Sequence, residues 1–218
     1  MAETVKGDSV LTERTAAGAP APSPKRQAIV AAAAELFLHS GYGAVSMDAI
    51  AAKAEVSKRT VYSHFSGKDE LFAAVMMAHC ALVAGEEAFD LDPDQDMRAL
   101  LTDLGVRFLT LVTSPEAVAL YRTVVAEAER FPELGRTFYE NGPQRWISTL
   151  TPYLGEKDRR GQLRTSDPET AASFLLYLLK DPLHMRCTLG VQGAVTPAEI
   201  EAHAARAVGT FLELYAPK

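Results

Sequence analysis

The sequence predicts an all-α protein: an N-terminal three-helix unit joined by a long fourth helix to a C-terminal helical body. Three observations carry this. From Pro24 onward nearly every segment repeats its apolar residues at helical spacing. No run alternates in the manner of a half-buried strand, and no internal repeat is present. Helix start signals punctuate the chain, among them Ser114-Pro115-Glu116, Asp167-Pro168-Glu169 and Thr196-Pro197-Ala198-Glu199.

The elements follow in order. Residues 1–23 predict a disordered tail, because AAGAPAPSP offers prolines and small residues but no core. A first helix spans Pro24 to Ser40, with Ile29, Ala32, Ala33, Leu36 and Phe37 on one face and Gly41 ending it. Ser46 caps a second helix of about two turns, whose inner side is Met47, Ile50, Ala51 and Ala54. Glu55-Val56 makes a tight turn into a third helix, Ser57 to His64, with Val56, Val61 and Phe65 buried. Ser66-Gly67 breaks the run, and a long fourth helix begins near Lys68 with Leu71, Val75, Ala78 and Leu82 inward.

Beyond Asp92-Pro93 a fifth helix carries the stripe Leu100, Leu101, Leu104, Phe108 and Leu111. A sixth runs from Ser114 to Phe131-Pro132. The pattern predicts a seventh over Glu133 to Leu154, distorted at Gly142-Pro143, and an eighth from Asp167 that Pro182 kinks. A capping box at Thr196 opens a ninth that reaches Leu214. Phe174, Leu175, Leu178, Leu179, Ala207, Val208, Phe211 and Leu212 on the last two exceed what one packed face requires, which predicts pairing across a two-fold axis.

Charge locates the function. The net charge of the 218 residues is −6, which does not suit a protein that coats nucleic acid nonspecifically. Over residues 53–68, however, Lys53, Lys58, Arg59 and Lys68 stand against Glu55 alone, a net charge of +3. Three short helices with a tight turn between the second and third form a helix-turn-helix, whose third helix enters the DNA major groove. Apart from its buried positions, that helix offers Ser57, Lys58, Arg59, Thr60, Tyr62, Ser63 and His64, nearly all hydrogen-bond donors suited to phosphates and base edges. Lys68 stands where the fourth helix begins, so its ammonium and the helix amides can grip one phosphate together. Lys25 and Arg26 either touch a flanking phosphate or mark the ordered start.

The run SMDAIAAKAEVSKRTVYSHFSGKDELF resembles the DNA-binding signature of the TetR family of repressors, and IVAAAAELFLHSGYGAVS resembles that family's first helix and glycine turn. LYRTVVAEAERFPELGRTFYENGP resembles the ligand-domain helices of an AefR-like or AcrR-like branch. The resemblance implies nine or ten helices, a dimer built from the last two, and a ligand cavity between the fifth and eighth. It divides the chain into the tail, a DNA-binding domain over 24–70, and a ligand-binding and dimerisation domain over 71–218. By position it implies that Thr60, Tyr62, Ser63, His64 and Lys68 contact double-stranded operator DNA, with Ser46 near a phosphate. Lys58 belongs to the same donor row. Arg59 stands where the family often has glycine or proline, and its long donor can reach a guanine. The implied regulator is a repressor that binds a palindromic operator as a homodimer and is released by a small apolar or aromatic inducer.

Candidate pocket residues in the second body are Phe108, Tyr121, Trp146 and Tyr177, with Tyr139, Tyr153 and His184 beside them. Trp146 leads because it is the sole tryptophan and lies near the Gly142-Pro143 break. Each is also an ordinary core residue type. No Gly-rich phosphate loop, GxSxG elbow or HExxH occurs, so no enzyme is expected. Asp181, His184 and Cys187 fall near one helix face, but Pro182 interrupts their register and no fourth ligand is apparent, so no metal or cofactor is expected. A helical interaction module without DNA binding is the other alternative, and the polar third helix argues against it. Cys80 and Cys187 are far apart and read as reduced core thiols. With no apolar run of membrane length and no secretory h-region, the expected location is the cytoplasm.

Overall fold

The computed structural model describes residues 23–84 and 90–217. The predicted tail lies outside them except for Ser23. Among the described residues eleven helices and no strand are present: α1 (Pro24–Ser40), α2 (Met47–Lys53), α3 (Lys58–His64), α4 (Lys68–Ala84), α5 (Met97–Val112), α6 (Pro115–Glu127), α7 (Pro132–Asn141), α8 (Pro143–Arg159), α9 (Pro168–Lys180), α10 (Leu183–Thr188) and α11 (Pro197–Leu214).

The caps work as the sequence predicts. Ser46 Oγ accepts the amide of Ala49 and Ser114 Oγ that of Ala117; Ser57, expected only as the start of its helix, is also a cap and accepts the amide of Thr60. Asp167 Oδ1 accepts the amides of Glu169 and Thr170. Thr196 and Glu199 close a reciprocal capping box. Each fixes where a helix begins by satisfying amides that have no carbonyl partner in the first turn.

Two hydrophobic clusters organise the molecule. One joins the inner faces of α1, α2, α3 and the start of α4. Phe37, Tyr42 and Phe72 meet there with ring centroids 5.5–5.6 Å apart. Leu120 and Val124 of α6 and Leu134 of α7 complete this cluster, so the N-terminal unit is packed onto the second body. The other cluster is built by α5, α8, α9 and α11. Gly105 of α5 lets the helices close: a Cβ there would meet Leu179 Cδ2 at 2.8 Å and the Ala204 Cβ at 3.3 Å.

Four expectations need correction. The predicted seventh helix is two helices, α7 and α8. Gly142 sits at φ −105°, ψ −99°, outside the helical basin. Pro143 has no amide hydrogen to continue α7, yet its fixed φ suits the first turn of α8. The predicted eighth helix does not kink but stops at Lys180. Asp181, restricted by the proline that follows it, is extended at φ −103°, ψ 147°, and α10 starts afresh at Leu183. Third, Leu82 does not point inward but is 83% exposed, and Ala78 is exposed as well. The second half of α4 instead turns Cys80 and Val83 towards the second cluster, because its partners there are α5 and α7 rather than α1. Finally, the apolar excess on the last long helices is mostly spent within the chain. Leu175, Leu179, Ala207, Val208 and Phe211 are buried in the second cluster, and Phe174 alone of the eight is largely exposed.

Candidate nucleic-acid interface and ligand cavity

The turn between α2 and α3 sets the direction of α3. Glu55 holds φ +54°, a left-handed conformation that lets the chain reverse within Ala54-Glu55-Val56. Val61 and Phe65 then anchor α3 at 0% and 1% exposure. Lys58, Arg59, Tyr62 and Ser63 are left on the outer side, with Thr60 and His64 half-buried at its flanks.

These residues differ in how they are held. Lys58 pairs with Asp48 of α2 at 2.7 Å, and its ammonium lies 6.0 Å from the Tyr62 ring centre. Ser63 donates to the carbonyl of Thr60, and the Thr60 hydroxyl bonds the cap residue Ser57. His64 lies beside Phe65, and Arg26 covers the other ring with its guanidinium 4.8 Å from the Phe65 centre. That assigns Arg26 a packing contact, while Lys25 is exposed. Arg59 is exposed and makes no ion pair with any described residue.

Lys68 is placed differently from the sequence reading. Its ammonium donates to the carbonyls of Tyr42 at 2.8 Å and Val45 at 2.9 Å, and it lies 4.2 Å from the Tyr42 ring centre. Burial lowers its pKa, and the nearby Glu127 and Asp69 carboxylates oppose the shift. The Tyr42 hydroxyl in turn donates to Asp69. Lys68 therefore ties the α1–α2 turn to the start of α4 and to the end of α6. Nothing in the sequence spacing announced these carbonyl acceptors, which arrive from 23 and 26 residues away.

A cavity of about 430 Å³ opens between α4, α5, α6, α7, α8 and α9. It gathers all four predicted ligand residues, Phe108, Tyr121, Trp146 and Tyr177, together with Tyr139 and His184. Phe108 and Trp146 meet edge to face at 5.2 Å, and Tyr121 packs on His184 at 4.8 Å. Tyr153 does not line it; that ring is buried beside Lys157, 5.4 Å from its ammonium. The sequence reading missed Met76, His79 and Cys80, which α4 contributes to the wall, and also Asn141, Ser173 and Lys180. A distinct signal was available for α4, since its second half carries apolar and polarisable residues on two faces.

Burial holds both histidines of the wall neutral. His184 is pushed down to about 4 by desolvation, helped by the Lys180 charge. His79, also lowered by desolvation, bonds the Ser114 hydroxyl at 2.9 Å. Among the described residues no group of three His, Cys, Asp or Glu side chains is placed to hold a metal ion, and no helix is long and apolar enough to cross a membrane.

Comparison with known proteins gives two family matches. Residues 29–75 match the bacterial regulatory proteins of the tetR family, and residues 99–217 match the AefR-like transcriptional repressor C-terminal domain. Among solved structures, a TetR-family transcriptional regulator from Mesorhizobium loti is 33% identical, with 88% of this chain and 96% of that one covered and a TM-score of 0.72. The flavonoid-responsive regulator FrrA is 34% identical over 89% of this chain and 98% of its own, also at a TM-score of 0.72. The transcriptional activator FasR of Mycolicibacterium smegmatis is 47% identical over 55 residues, which is 25% of each chain. The match thus spans about a quarter of that curated relative's length.

Proposed function

We propose, from the premise that the chain belongs to the TetR family of bacterial transcriptional regulators, that it is a repressor released from its operator by a small aromatic molecule. DNA reading falls to residues 24–70 and ligand sensing and dimerisation to 71–218, with the cytoplasm as the place of action. The observation that carries the reading is the double membership of α4. Its first turns, Leu71 and Phe72, are buried in the N-terminal cluster, and Met76, His79 and Cys80 further along line the cavity. One rigid element thus touches both sites.

On the DNA side, Arg59, Tyr62 and Ser63 present the exposed donors, with Thr60, His64 and Lys58 at the edges. Arg59 is the base reader, and Ser46 and the α2 start meet a phosphate. Lys68, with its ammonium on two carbonyls, acts by fixing the α1–α2 turn, and the amides at the start of α4 meet the phosphate. Two copies are needed because one helix-turn-helix covers a half-site, and a palindrome presents two. The AefR-like repressor match over 99–217 favours repression over activation; the activator FasR is similar only over a short segment.

Ligand in the cavity and DNA on α3 favour different positions of α4, so each weakens the other by the same factor. A coupling of about 1–3 kcal/mol is ordinary for such a switch. The test begins with selection of an operator from random duplexes, followed by anisotropy titrations with and without a ligand that raises the melting temperature. A palindromic product and a reciprocal loss of affinity are expected. A stabilising ligand that leaves operator affinity unchanged refutes the sensing half, and failure to select any sequence refutes the DNA-reading half.

A further inference from the structure

The lining of the cavity carries little charge. Among the described residues no Asp, Glu or Arg side chain lines it; the Glu116 and Asp181 carboxylates act on His79 and His184 from outside the lining, and both histidines are neutral near pH 7 because burial depresses them. Among the described residues that leaves Lys180, the last residue of α9, as the one charged side chain in the wall. Its ammonium lies 5.0 Å from the centre of the Tyr121 ring, which faces the same space. It makes no ion pair with any described carboxylate, while Lys53, Lys58 and several arginines do find acidic partners. The rings of Phe108, Tyr121, Phe138, Trp146 and Tyr177 share the remaining wall with aliphatic side chains such as Leu120.

We propose that the cavity takes an aromatic weak acid whose anionic oxygen rests on Lys180 and whose rings lie among Phe108, Tyr121 and Trp146. The inference rests on the reading of this cavity as the sensory site. A lone ammonium in an apolar wall attracts a carboxylate or phenolate more strongly than it would in water, because the local dielectric is lower. It disfavours an aromatic cation for the same reason. The cavity volume of about 430 Å³ lies within the range of small-molecule pockets. His184, held neutral beside Lys180, can add a hydrogen bond without competing for the anion as a second charge.

Two dyes of one frame test this. Anilinonaphthalene sulfonate carries an anion, and phenylnaphthylamine is the same frame without it. Energy transfer from Trp146, the only tryptophan, reports dye bound to the chain, and a change on substituting the lining residue Lys180 places that dye in the cavity. With the full-length parent, both dyes should quench Trp146, and the sulfonate should bind more tightly. Lys180→Met should weaken the sulfonate roughly tenfold, as expected for loss of a charge-assisted hydrogen bond, and leave the neutral dye unchanged. Lys180→Arg should retain the preference. Equal losses for both dyes in Lys180→Met would make the lysine a packing residue and overturn the proposal. An unchanged sulfonate affinity would overturn it too, and in both cases the cavity would stand as a binding site. If neither dye receives energy from Trp146 in the parent, the sensory reading of the cavity falls with the proposal.

Discussion

The N-terminal unit and the cavity body are built on opposite plans. Around Phe37, Tyr42 and Phe72 the rings are buried against one another, and the polar groups are turned outward along α3. Around Phe108, Tyr121 and Trp146 the rings line a space that stays open, and the polar groups His79, His184 and Lys180 face inward. On the proposed function the contrast has a reason: a reading surface must be fixed, and a sensor needs an interior its ligand can fill.

Substitutions in the two regions should therefore part company. Phe72→Ala removes a ring at 0% exposure from the solid cluster and should cost about 3–5 kcal/mol in urea unfolding. Phe108→Ala only enlarges a cavity that exists already, and should cost less. Equal losses at the two positions would erase the contrast. Next in size, Arg59→Ala should relax operator preference at one base pair by about 1–3 kcal/mol while leaving stability unchanged. Identical binding-site preferences for variant and parent would move Arg59 to a backbone role.

A smaller effect concerns the turn before α3. Glu55 holds a positive φ that costs a non-glycine residue about 1–2 kcal/mol. Glu55→Gly should raise stability by up to that amount, less the added freedom of the unfolded chain. A fall in the urea midpoint would mean that the Glu55 side chain contributes more than its backbone costs.

The smallest effect at neutral pH belongs to the cavity. His184 titrates near 4 in the folded chain against about 6.5 when unfolded, so the unfolded chain binds the extra proton. Its contribution is full above pH 6.5 and is lost as pH falls through 4. His184→Phe should therefore flatten the stability profile between pH 6.5 and 4, measured by urea midpoints across that window. An unaltered slope would assign the acid sensitivity to other groups.

The N-terminal three-helix unit was legible because its logic is local. Ser46 and Ser57 cap helices three residues downstream, Val61 and Phe65 lie one helical turn apart, and the donors between them must face outward once those two are buried. The aromatic members of the cavity were legible as residue types, though their convergence was not. Leu82 shows the limit: its spacing from Leu71 and Val75 fits one helix face, but α4 changes partners midway and leaves it exposed. Pro143 and Pro182 announced breaks in the sequence, and only the packed chain decided that each would end one helix and begin another. By itself the sequence determined where helices start, which faces are apolar and where positive charge gathers, since these follow from neighbours within a turn or two. Tertiary structure alone decided that Lys68 would spend its ammonium on the carbonyls of Tyr42 and Val45, and that Lys180 would enter the cavity wall with its ammonium 5.0 Å from the Tyr121 ring. Both depend on groups brought together from distant segments, and no local pattern encodes which partner a long, flexible cation will meet.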